Sequence, residues 1–143
     1  MRTQLALALA VAALASPAAE AAKRKPISGS YDLFLPVPNP QEDAGGSHCK
    51  TAQEGLSLHV HRLTVPAPGR FAMTLDDVVG DWVIEVYDAK GARVAQSGTL
   101  AVPPAPATVS FRNKRAGKTA YTIMICNYAG GPRGTGTWRY DFS

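Results

Sequence analysis

His59 and His61 stand two residues apart in the run 56–65, so in a strand both imidazoles fall on one face. Two imidazoles on one face are part of a metal site, but a catalytic zinc needs about three protein ligands beside its water. His48, or an acid brought in by a loop, would have to supply the third. Asp76, Asp77 and Asp81 crowd a second short stretch, and calcium is the cation such an acidic turn would take. Their spacing lacks the alternate ligands and closing Glu of an EF-hand loop, so a solvated turn explains them with fewer assumptions. These five residues are the metal candidates of the chain. Neither set is complete, and no cofactor is expected.

Ser47-His48-Cys49 sets two nucleophile types beside a base. Neighbours in an extended chain point to opposite sides, however, and catalytic groups meet in space rather than in sequence. No Gly-x-Ser-x-Gly elbow, phosphate-cradling glycine loop or Asn-x-Ser/Thr sequon is present. Cys49 and Cys126 are the chain's two cysteines. Such a pair in an exported protein reads as one disulfide, which removes the Cys49 thiolate. No catalytic residue is assigned.

The elements that must position these residues begin with an export signal. Arg2 precedes an apolar run from Leu5 to Leu14, Ser16-Pro17 breaks it, and Ala19-Glu20-Ala21 supplies small residues for a signal peptidase. The run is half the length of a spanning helix, and no later segment is long and apolar enough to span. Residues 1–21 are therefore read as a secretory signal peptide and the remainder as a soluble monomer. Residues 22–46 form a Pro/Gly-rich segment with one edge strand near Tyr31–Leu35, and 47–143 form the main domain. Phe71, Met73 and Leu75 alternate with Ala72 and Thr74, and Trp82, Ile84 and Val86 alternate with Val83, Glu85 and Tyr87. Further strand patterns lie at 56–65, 93–96, 108–112, 119–128 and 137–142, with Asp88-Ala89-Lys90-Gly91 as a hairpin turn. Short strands with turn signals between them predict an all-β antiparallel sandwich or barrel.

On this pattern Trp82, Ile84, Val86, Ile123, Ile125, Trp138, Tyr140 and Phe142 supply the core. Tyr87 and Tyr128 fall on the opposite phase and are candidates for an exposed contact. The net charge of +4 is concentrated in Lys23, Arg24 and Lys25 at the mature N-terminus and in Arg112, Lys114, Arg115 and Lys118 around Gly117. A nucleic-acid reader would interleave such cations with aromatics or carry a reading motif, so no nucleic-acid partner is expected.

In order, LTVPAPG (63–69), FAMTL (71–75), DWVIEVYDAKG (81–91), AGKTAYTIMICN (116–127) and GTWRYDF (136–142) follow one scheme. The chain from about residue 56 to 143 resembles the bacterial pre-peptidase C-terminal domain, with Pro68 interrupting the family's Val-Pro-Ala-Gly turn. The resemblance implies a jelly-roll β-sandwich attached to, or acting beside, secreted enzymes.

The sequence thus describes a secreted, non-catalytic binding or accessory module acting on an extracellular protein or polymer. Its contacts would come from the Pro66–Arg70 turn, the Arg112–Lys118 loop and the glycine-rich Tyr128–Gly136 segment. Two alternatives are a small secreted metalloprotein or hydrolase built on His59 and His61, and a secreted peptidase inhibitor.

Overall fold

A computed structural model describes residues 24–97 and 106–143, so the expected signal peptide and Pro103-Pro104 lie outside the described residues. Within them the chain is all-β and antiparallel, with six strands. These are β1 (Ile27–Phe34), β2 (Leu58–Val65), β3 (Gly69–Asp88), β4 (Arg93–Gln96), β5 (Ala107–Asn113) and β6 (Thr119–Phe142).

The two long strands organise the rest. β3 pairs with β6 along nearly their whole length. At one end, residues 119–126 of β6 also pair with β2, and β4 pairs with 85–87 of β3. At the other, β1 pairs with 133–140 of β6 and β5 pairs with 69–75 of β3. Each end of the long pair is therefore the centre of a four-stranded half.

The sequence pattern breaks β3 at an acidic turn and β6 at a glycine-rich loop. Both instead run through as strands. The register shifts at Leu75/Asp77, Val78/Gly80 and Asp81/Trp82 absorb the bend. Glycine makes that continuity feasible. Gly80 has φ +82, and a Cβ there would come within 2.5 Å of the Ala129 carbonyl oxygen. Asn127 fixes the facing strand: its side-chain carbonyl accepts from Gly130 N at 2.8 Å, and its amide donates to Leu35 O at 2.9 Å. Asp76, Asp77 and Asp81 thus sit in an irregular strand, not a turn.

One buried cluster draws Tyr31, Leu33 and Leu35, then Leu63 and Val65, Phe71, Met73 and Leu75, Trp82, Ile84, Val86, Val109, Ile123, Ile125 and Tyr140 from both halves. The edge strand expected within 22–46 is β1, and it shares this core. Ring contacts tie strands that share no hydrogen bonds: Phe111 of β5 lies 4.6 Å from Tyr121 of β6, and Tyr31 of β1 lies 5.7 and 5.8 Å from His59 and His61 of β2. The predicted phase holds in the last strand, where Tyr140 is fully buried and Arg139 exposed, although Trp138 and Phe142 are only partly covered. Among the described residues no helix is long and apolar enough to cross a membrane.

Candidate functional site

His59 and His61 do share a face, and it points inward. Both rings pack edge-on against Tyr31, at 5.7 and 5.8 Å. Burial, with His59 close by, holds the His61 imidazole below its ordinary pKa and so favours its neutral form. Among the described residues no group of three or more His, Cys, Asp or Glu side chains is placed to hold a metal ion. His48, considered as a third ligand, lies elsewhere, packed edge-on against Tyr128 at 4.6 Å with Nδ1 3.3 Å from Glu42 Oε1.

Cys49 and Cys126 form a disulfide with Cα atoms 5.4 Å apart. It pins the connection between β1 and β2 onto the outer face of β3 and β6, where Leu58, Val83, Cys49 and Cys126 make a second buried cluster. That connection changes the meaning of every residue beneath it. Tyr87, expected as an exposed contact, is only 5 % exposed. Tyr128, the other expected contact, is partly covered by His48. Strand alternation put both on the polar phase correctly. A loop from distant sequence then covered that phase, which no local pattern encodes.

Under the loop lies a site that sequence reasoning placed at the surface. Glu85 is completely buried, and its carboxylate accepts from Ser47 Oγ at 2.6 Å, Tyr87 Oη at 2.6 Å and His48 N at 2.9 Å. Arg93 Nη1 lies 3.4 Å from the same carboxylate and donates to Gly46 O at 2.8 Å. A buried carboxylate is tolerated when its lone pairs are filled in this way. Asp43 braces the same loop, accepting from Gly45 N and Ser47 N at 2.9 and 2.7 Å; the Ser47 bond first holds its carboxyl below the usual range. The Ser47 hydroxyl is thereby spent on structure: it is 2 % exposed and points at a carboxylate rather than at His48. The signal for this site was a lone Glu in the most apolar strand of the chain.

The basic cluster remains at the surface. Arg112, Lys114, Arg115 and Lys118 are all exposed. The first three line an open cleft of about 450 Å³ together with Asp88, Val94, Ser110, Phe111, Asn113 and Tyr121. The cleft lies on the seam between the halves, because Asp88, Val94 and Tyr121 come from one and β5 from the other. Arg115 reaches across it, with Nη2 3.8 Å from Asp88 Oδ2. Asp88 is held by its own hairpin turn, accepting from Lys90 N at 2.9 Å and Ala92 N at 3.0 Å through Oδ1. Asn113 anchors the opposite wall, donating to Tyr140 Oη at 3.2 Å and accepting from Arg115 N at 3.0 Å. Phe111 lies between Phe71, at 5.2 Å, and Tyr121. A second groove, lined by Ser28, Ser30, Thr74, Thr137, Trp138 and Arg139, is chemically poorer, since its one cation is paired with Asp141 at 2.6 Å.

Burial is the first cause raising the phenol pKa of Tyr31, Tyr87, Tyr121 and Tyr140. Their neutral forms therefore stabilise the fold fully below the unfolded value of about 10, and this contribution is lost as pH rises through the folded values. In an alkaline titration the tyrosinate absorbance of these four rings should rise together with loss of β-structure by circular dichroism. Ionisation of all four at the usual pH in a folded chain would contradict their burial.

Compared with known proteins, the chain matches no family model and no curated protein.

Proposed function

We propose that the chain is a secreted, non-catalytic binding or accessory module, a jelly-roll β-sandwich of the pre-peptidase C-terminal type that acts outside the cell. The reading rests above all on how the reactive side chains are used. Ser47 and Glu85 are buried against each other, and Cys49 is joined to Cys126. His59 and His61 pack on a phenol ring. Hydrolysis needs an activated nucleophile beside a base, or an open metal site. The sandwich assignment draws on the shared core, in which strands without mutual hydrogen bonds meet through their side chains. Export draws on the signal-like pattern of 1–21 and on the disulfide, which persists in oxidising compartments.

Metal analysis of the purified secreted form, with a hydrolase panel on the same sample and on a His59→Ala, His61→Ala double variant, tests the reading. The expected result is substoichiometric metal and no turnover in either protein. Stoichiometric zinc, or an activity lost in the double variant, would overturn it in favour of the metalloprotein alternative.

A further inference from the structure

We infer that the seam cleft binds a carboxylate-bearing sugar unit of an acidic polysaccharide, with Arg112 and Arg115 taking the carboxylate and the outer edge of the Phe111 ring meeting the sugar. The inference rests on the binding-module reading above and adds its ligand class. Its first support is charge. Three cations and one acid line the cleft. Among the described residues neither Arg112 nor Lys114 pairs with an acid. Arg70 is the cross-strand partner of Arg112 and adds to the positive field.

The second support is that the cleft already holds one carboxylate in reach of a guanidinium. Asp88 Oδ2 stands 3.8 Å from Arg115, a loose contact beside the shorter separations of charge-assisted pairs. A ligand carboxylate free to move could close that distance where Asp88, fixed by its turn, does not. Asp88 would then be released to accept a sugar hydroxyl.

The third support is the composition of the walls. Beside the charges they offer the Ser110 hydroxyl, the Tyr121 phenol, the half-buried Phe111 ring and a single aliphatic side chain, Val94. A sugar ring presents apolar C–H faces and a rim of hydroxyls, and it matches such a mixture. An acidic peptide would need apolar pockets for its side chains, and Val94 alone does not make one.

The test titrates the intact protein with polygalacturonate oligomers, dextran oligomers and polyphosphate, at low and at high salt. Polygalacturonate should bind, more weakly as salt screens the exposed arginines. The Arg112→Ala, Arg115→Ala double variant should bind about tenfold more weakly or worse, since loss of a charge-assisted pair exceeds the 1.4 kcal/mol that a factor of ten represents. Asp88→Asn keeps the turn acceptor but removes the competing charge, and should bind polygalacturonate more tightly than the wild type. Both variants alter exposed or turn residues and should keep the wild-type circular dichroism spectrum. Failure of polygalacturonate to bind, equal binding of dextran, equal binding of polyphosphate, or unchanged affinity in both variants would each overturn the assignment. None of these outcomes bears on the binding-module reading, which stands or falls on the metal and hydrolase measurements.

Discussion

Replacing Glu85 with alanine is expected to destabilise the protein by about 3–5 kcal/mol, the scale seen when one partner of a buried charged network is removed. The carboxylate is fully buried and receives three hydrogen bonds, from Ser47 Oγ, His48 N and Tyr87 Oη. Its loss strands those donors where water does not reach, and each buried unsatisfied group costs about 1–3 kcal/mol. Arg93 contributes less, because its side chain is 32 % exposed and 3.4 Å away, so solvent screens the pair. Glu85→Gln keeps an acceptor for part of the network and should fall between alanine and the wild type. Denaturant unfolding measures all of these. An alanine variant within about 0.5 kcal/mol of the wild type, the range of ordinary surface substitutions, would show that the network does not hold the loop. Should the alanine variant fail to fold, Glu85→Gln and Tyr87→Phe supply the graded series.

Removing the Cys49–Cys126 bond should cost up to about 4.5 kcal/mol, the chain-entropy value for a loop closed by a 77-residue separation. The effect arises mainly in the unfolded chain, whereas the Glu85 effect arises in the folded one. The two devices nevertheless hold one segment, since Ser47 and Cys49 are two residues apart. Removal of both should therefore depart from simple addition, as contacting sites usually do. The measurement compares the Cys49→Ser, Cys126→Ser double variant with the oxidised protein by denaturant midpoint. An unchanged midpoint would mean that the crosslink contributes nothing to stability. Proteolysis of the 36–57 connection should accelerate in the same variant, because loosened loops are cleaved first.

The two largest expected effects both concern the loop around Ser47-His48-Cys49, which the sequence marked as nucleophile types beside a base and as one end of a disulfide, not as a cover for the sheet. Local patterning handled the strands well. Period-two alternation placed Trp82, Ile84 and Val86 inward and kept Arg139 outward, because side chains on a strand must alternate. It also marked the opposite phase correctly as a second face. What it did not contain was the fate of that face. Val83, Glu85 and Tyr87 became interior when residues from 47 to 58 docked over them, a contact made across some 40 positions of sequence.

The cysteine pairing was legible because only two cysteines exist and only one pairing follows. The histidine pair was legible as a shared face, but the face proved to be filled by Tyr31 from β1. The basic cluster was legible as charge. Its conversion into a cleft required Asp88, Val94 and Tyr121 from the other half of the structure.

By itself, then, the sequence determined the all-β class, the phase of the runs 71–75, 82–86, 123–125 and 138–142, and the disulfide, since alternation and cysteine count act locally or by simple exclusion. The tertiary structure alone decided that β3 and β6 run unbroken through their glycine bends, and that Glu85 is an interior anchor rather than a surface acid. It alone set Arg112 and Arg115 opposite Asp88. The physical reason is the same in each case: burial and charge proximity depend on which distant segments pack together, and period-two patterning records only which way a side chain points.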